Sequence, residues 1–447
     1  MKTRRELIHD AGRGLGAAAV LRAMGRFSLL DAAAVDAASD YRALLCLFLY
    51  GGNDGNNTVI PYDDYASYQK VRGTTINIPK GSILKISAPS QKAAFGLHPA
   101  LAELQSLYDK GNVAILANVG TLASPTTRAR YLAGAPVPDD LFSHSSQQAE
   151  WQSAVVKTSD PAAWTGWGGR AADAVASLNA SSFPVSISTA GLSLFQTGVN
   201  SGPLDPGTGL AGFTTGATSQ ARLAAFRKLL TLDTAQTLVG TESTLMGRAI
   251  DDTNTLNAAL GQVPALRTPF PSTGLGTQLK TIASVIAARS ALKMSRQVFF
   301  ATIGSFDTHT GEIATQQTLL TQLSQAMGAF FAATVELGVQ DSVTTFTLSD
   351  FCRTFQPGSG SGTDHAWGNH HFIVGGSVKG GDFYGTYPTL ALGGPDDAEA
   401  RGRWIPTTAV DQYGATLARW FGVPAASMRT VFPNLGAFAA DDLGFMV

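Results

Sequence analysis

The sequence predicts an α/β protein: a doubly wound, mostly parallel sheet with a helical insertion. Three observations predict it. Several short runs are apolar throughout rather than alternating, as in strands buried on both faces of a parallel sheet. These runs alternate with stretches whose apolar residues recur at helical spacing, the pattern of a parallel sheet covered by helices. Residues 190–295 differ from both: they are rich in Gly, Thr and Ala and hold helical patterns near 219–260 and 276–292, which reads as an insertion or cap.

Taken in order, residues 1–40 read as an export signal. Arg4 and Arg5 form a twin-arginine pair, a moderately apolar stretch runs over residues 14–30, and small residues around 32–38 suit cleavage. Arg13, Arg22 and Arg26 make that stretch too polar for a stable membrane span. A periplasmic or secreted location and the twin-arginine machinery as an export partner are therefore expected. The domain proper is expected over 41–447. Residues 42–50 form the first buried strand and end abruptly in Gly51-Gly-Asn-Asp54-Gly. His98-Pro99 opens a helix to about Lys110, with Leu101, Leu104 and Leu107 in step, and residues 113–119 are the next strand. After the insertion come a strand at 297–303 and a helix at about 313–337 stopped by Gly338, then a strand at 343–348. A Gly/Ser loop at 357–363, a strand at 390–392 and a helix at 410–421 ending in Gly422 complete the reading.

Composition narrows the function. The 447 residues carry 32 basic and 33 acidic side chains, so there is no basic excess to serve nucleic acid. Two cysteines, Cys46 and Cys352, exclude a disulfide framework and are expected unpaired. Of seven histidines, His309, His365, His370 and His371 fall in a window that also holds Asp307, Asp350 and Asp364. Imidazole and carboxylate together are the usual ligands of zinc and similar ions. Asp54, Asp307 and Asp350 each follow the carboxyl end of a different strand, the edge where open parallel sheets bind ligands. Three acids converging there repel one another unless a cation or shared proton offsets the charge. Each alone would read first as a turn former or helix cap, and it is the joint pattern that points to a cation.

Ser143, in Phe-Ser-His-Ser-Ser, stands at a helix start and has two readings: a cap for the helix amides, or a nucleophile. His144 beside it is a further catalytic candidate, and Thr126, Thr127 and Ser145 are rival hydroxyls. Arg353, three residues after Asp350, suits an oxyanion or a site aspartate equally well.

Several motifs together resemble the DUF1501 family of exported bacterial proteins: Gly51-Gly-Asn-Asp-Gly-Asn-Asn-Thr-Val-Ile-Pro61, Leu97-His-Pro-Ala-Leu101, Ser143-His144, Phe306-Asp-Thr-His309, Ser349-Asp-Phe-Cys-Arg-Thr354, Gly362-Thr-Asp-His-Ala-Trp-Gly-Asn-His-His371 and Ile405-Pro-Thr-Thr408. That family looks like a branch of the alkaline phosphatase and sulfatase superfamily. The resemblance implies an alkaline-phosphatase-like sheet with one or two divalent ions at its carboxyl edge. The ions are expected to be zinc, with manganese, iron and calcium as alternatives. It implies Asp54, Asp307, His309, Asp350, His365 and His370 as ligands, with Asp364 and His371 able to substitute. Ser143 resembles the nucleophile position. The chain departs from the pattern in having Asp350 where the family usually has Glu, Cys352 where it has Gly, and Asp-x-His where the superfamily often spaces the pair Asp-x-x-x-His.

The expected function is hydrolysis of phosphate or sulfate esters, on small molecules or polysaccharide, through a hydroxyl nucleophile. A non-catalytic binding or assembly protein on the same fold is one alternative. A lyase or phosphotransferase using the same metals is the other.

Overall fold

The computed structural model of the chain describes residues 40–206 and 216–447, so the export signal lies almost wholly outside the described residues. The strands are β1 (Arg42–Leu49), β2 (Val59–Pro61), β3 (Leu84–Ala88), β4 (Ala93–Leu97), β5 (Val113–Gly120), β6 (Ser186–Ser188), β7 (Arg296–Ile303), β8 (Val343–Ser349), β9 (Asn369–Val374), β10 (Phe383–Gly385) and β11 (Thr408–Ala409). The main sheet has eight strands in the order β10-β5-β9-β8-β1-β7-β6, with β11 also on β5. Its pairings are parallel except those of β9, which runs against both β5 and β8. β2, β4 and β3 form a separate antiparallel sheet.

The central strands are buried on both faces: β1 is apolar after Arg42, and the polar side chains of β5 and β8, Asn118, Thr344, Thr345, Thr347 and Ser349, are buried with them. Ala43–Leu49 of β1 and all of β5 and β8 are inaccessible. Register then sets the site. Leu49 pairs with Ile303 on one side and with Ser349 on the other, so three strands end at one level. Their continuations can meet only because β1 runs into glycines. Gly51 (φ 110) would place a Cβ 2.4 Å from the Asp307 backbone N, and Gly52 (φ 81) would place one 2.5 Å from the Phe351 ring. Both φ values lie where only glycine is comfortable.

The helices used below are α1 (Gly55–Thr58), α2 (Tyr65–Arg72), α3 (Ala102–Asp109), α4 (Arg128–Leu132), α5 (His144–Ser153), α6 (Trp167–Val175), α7 (Ala217–Leu229), α8 (Thr237–Leu260), α9 (Gly274–Ala287), α10 (Glu312–Glu336) and α11 (Val410–Phe421). Gly338 (φ 64) and Gly422 (φ 103) follow α10 and α11 in the left-handed region, as their stop signals require. Within 190–295 the helical pattern resolves into α7, α8 and α9. α7 and α8 bury few side chains, whereas α9 presents Leu279, Ile282, Ala283 and Ile286 to the core. The strand expected at 390–392 is absent: Leu392 is exposed and the segment turns through Gly393 and Gly394. Leu390 packs on the cluster around Ile60 and Tyr65, but Ala391 and Leu392 are exposed and the run pairs with no strand; the sheet's edge is completed by β10 and β11 instead. Cys46 and Cys352 are both free and buried. No helix among the described residues is long and apolar enough to cross a membrane.

Candidate metal centre

Four side chains from three segments meet at the carboxyl edge. Asp307 and His309 follow β7, His144 opens α5, and His365 precedes β9. Around Asp307 Oδ1 stand the Nε2 atoms of His309 at 3.0 Å, His365 at 3.4 Å and His144 at 3.5 Å. His309 Nε2 and His365 Nε2 are 3.2 Å apart.

The opposite side of each ring decides what those nitrogens can do. His144 Nδ1 lies 2.7 Å from Asp350 Oδ2, and His365 Nδ1 lies 2.8 Å from the Phe142 carbonyl. His309 Nδ1 lies 3.3 Å from Asp364 Oδ1. Each partner is an acceptor; in the tautomer with the hydrogen on Nδ1, each ring turns a lone pair on Nε2 toward Asp307. Three lone pairs and a carboxylate oxygen then face one point, an arrangement that repels itself unless a positive charge occupies it. His144 Nε2 is buried without a hydrogen-bond partner. The ligand atoms of His144, Asp307 and His365 all lie within 4.8 Å of one another, and His309 joins through Asp307 and His365; tetrahedral ligands of zinc at about 2.0–2.1 Å are about 3.3 Å apart. The donor set, imidazole nitrogens with one carboxylate oxygen, therefore fits a divalent cation of the zinc type.

The support around this set is extensive. Asp350 is fully buried and also accepts from Gln148 Nε2 (2.7 Å) and the Gly51 N–H (3.0 Å). Arg401 holds Asp364 at 2.5 Å. Arg353 donates to Asp307 Oδ1 at 2.7 Å through Nη1 and to Thr363 Oγ1 at 3.2 Å through Nε. Thr363 in turn donates to the buried Glu312 at 2.5 Å. Charge follows geometry. The Asp350 hydrogen bond holds the His144 imidazole above its ordinary value against partial burial. Burial moves His365 the other way. Burial would raise Asp307, but the Arg353 hydrogen bond and charge outweigh it and keep the carboxyl below its usual range.

The other sequence candidates are engaged elsewhere. Asp54 is buried in a two-pronged pair with Arg72 at 2.6 and 2.9 Å and caps α1 by accepting from Asn56 N–H. Burial opposes its ionisation and Arg72 restores it, while burial and the neighbouring Asp54 push Glu312 well above its usual range. His370 Nδ1 accepts from the Asn118 N–H and its ring stacks on Tyr387. His371 bonds Thr347 Oγ1 and packs against Trp151 and Tyr413. Burial lowers both imidazoles to about 3, so they stay neutral. Arg353 is fully buried and spends its donors inside the protein. Ser143 occupies the α5 cap position, but its hydroxyl bonds Ser145 Oγ (3.1 Å) rather than a helix amide. Asp350 and Asp364 sit behind the histidines.

Sequence reasoning placed His144 among the catalytic candidates and not among the ligands, because it is remote from the 307–371 window. It passed over Arg72 entirely. The readable sign was that Tyr65, Tyr68 and Arg72 share one face of a short helix, so a cation had to be buried with the tyrosines.

Residues 41–397 match the family described as "Protein of unknown function (DUF1501)". The chain belongs to the DUF1501 family. The matched span of this DUF1501 chain holds His144, Asp307, His309 and His365 and stops short of Arg401. No curated protein matches it. Solved structures do match, among them a Bacteroides thetaiotaomicron protein from work on the metabolism of multiple glycosaminoglycans by a versatile core genetic locus. It is 11% identical over 90% of this chain and 83% of that one, with a TM-score of 0.35.

Proposed function

We propose that this protein is an exported, metal-dependent hydrolase of phosphate or sulfate esters, working at the carboxyl edge of an alkaline-phosphatase-like, doubly wound sheet. The observation that carries the reading is the convergence of three Nε2 lone pairs, from His144, His309 and His365, on Asp307, with every Nδ1 anchored behind. A bound cation of the zinc type supplies Lewis acidity and a more acidic water. The chain's own residues do the rest. Asp350, the Phe142 carbonyl and Asp364 fix the three rings in one tautomer and orientation. Arg353 and Thr363 hold Asp307 from behind. Asp307 and His309 are close to half exposed, which leaves an open face for an ester. The Ser143 hydroxyl, unused by its helix, is the side-chain nucleophile of this reading, and water is the alternative.

The test is elemental analysis of the purified mature protein beside a His144→Ala/Asp307→Ala variant, followed by a panel of phosphate and sulfate esters. About one zinc-like ion per wild-type chain, lost in the variant, with ester turnover by the loaded protein, is the expected result. Ser143→Ala then separates a serine nucleophile, where turnover stops, from attack by water, where it continues. Protein that takes up no ion from zinc, manganese, iron or calcium solutions would sink the reading and leave a binding protein. Turnover that incorporates no water oxygen would indicate a lyase or phosphotransferase.

A further inference from the structure

Charge is distributed unevenly along this nearly neutral chain. Between Asp64 and Glu103 there are Lys70, Arg72, Lys80, Lys85 and Lys92 and no acidic residue. Arg72 is consumed by Asp54. The four lysines are exposed, and among the described residues the lysine that forms an ion pair is Lys157 instead. Two of the four share one aromatic ring: the Lys80 and Lys85 ammonium groups stand 4.6 and 4.8 Å from the centre of Tyr62. Beside them is a groove of about 660 Å³ along the β3–β4 hairpin, whose polar lining is Lys85, Lys92, Asp63 and Ser87 and whose remaining lining is apolar, including Ile86 and Pro89. β3 is the edge of its sheet, and one lysine suffices to discourage strand pairing there. Lys70, Lys80 and Lys92 lie off that strand and are not explained by it.

We propose that this groove binds a segment of an acidic polysaccharide bearing carboxylate or sulfate groups. Unpaired ammonium groups supply point charges for such anions. The Tyr62 ring holds the Lys80 and Lys85 ammonium groups together. Asp63, fixed by the Ala94 N–H at 2.6 Å, and Ser87 supply polar groups for sugar hydroxyls. A lipid surface calls for apolar side chains that insert, and the large exposed hydrophobics all lie outside residues 62–97. A nucleic acid calls for arginines that fork onto phosphates and stack on bases, and no arginine lines this groove.

The groove is tested apart from the metal centre, on the full chain stripped of metal with a chelator. Calorimetry with heparin, alginate and dextran separates sulfated, carboxylated and neutral polymers. At least one acidic polymer is expected to bind, and dextran is expected not to. Lys80→Gln/Lys85→Gln/Lys92→Gln should weaken that binding at least tenfold and flatten its salt dependence, with an unchanged Tm because all three side chains are exposed. Lys228→Gln/Lys280→Gln/Lys293→Gln removes the same charge elsewhere and should bind as wild type. Equal loss in both triple variants would reduce the effect to net charge and overturn the proposal. So would undiminished binding by the first variant, no binding of either acidic polymer, or tighter binding of anionic vesicles or DNA.

Discussion

Asp54 and Asp307 are both acids just past the end of a parallel strand, and only their partners tell them apart. Asp54 faces the buried Arg72 and Asp307 faces three imidazoles. Removing one member of a buried ion pair costs about 3–5 kcal/mol, because the other charge is left unpaired. Asp54→Asn is therefore expected to lower unfolding stability by about that amount while the folded protein keeps the cation uptake proposed for the wild type. Denaturant unfolding and elemental analysis of the same preparation check both halves. A stable Asp54→Asn protein that had lost its metal would make Asp54 a ligand after all. At this scale the sequence displayed the right chemical types but not their assignment. His370 and His371 looked like ligands because they are adjacent to the motif, yet β9 turns both rings into packed surroundings.

At the scale of elements, the centre depends on three strands ending together and on glycine where they touch. Gly51→Ala is expected to cost about 1–3 kcal/mol from its backbone conformation alone, and to displace Asp307, whose backbone N would lie 2.4 Å from the new Cβ. Gly111→Ala is the control. Its φ of 76 carries comparable strain, and nothing lies within 4 Å of the added carbon. Both variants should lose stability in chemical denaturation, and only Gly51→Ala should lose metal affinity. Equal metal binding by the two would show that the close approach at Gly51 does not position the centre. Apolar runs and helix stops made β1, β5, β7 and β8 legible in the sequence, with α10 and Gly338 and α11 and Gly422. β9 was not legible, because its Asn369-His370-His371 start breaks the apolar pattern, and β2, β3, β4, β6, β10 and β11 are short runs that do not stand out from loop.

At the scale of the whole molecule, stability depends on charges the fold has buried. Asp411 lies inaccessible in the first turn of α11, and burial raises its carboxyl to about 7 against the pull of its own N–H and of Arg170. A carboxyl raised in the folded state binds its proton more tightly there than in the unfolded chain. Its contribution is then most favourable at low pH and is lost as pH rises from about 3.9 through about 7. Glu150, raised to about 9 by burial, acts in the same direction. Asp411→Asn removes the ionisation. Its gain in unfolding free energy should be larger at pH 8 than at pH 5 by a few kcal/mol, at about 1.4 kcal/mol per pH unit. An equal effect at both pH values would exclude the titration of this group. The sequence by itself determined the α/β architecture, the mostly parallel sheet and the family, because apolar runs, helical spacing and motifs are local along the chain. It also placed acids and histidines at the strand ends. Only the tertiary structure decided which of them share a point. Whether a carboxylate meets an arginine or an imidazole is set by strand register and by partners such as Arg72 for Asp54, Asp350 for His144 and Arg401 for Asp364, which the chain brings in from other elements.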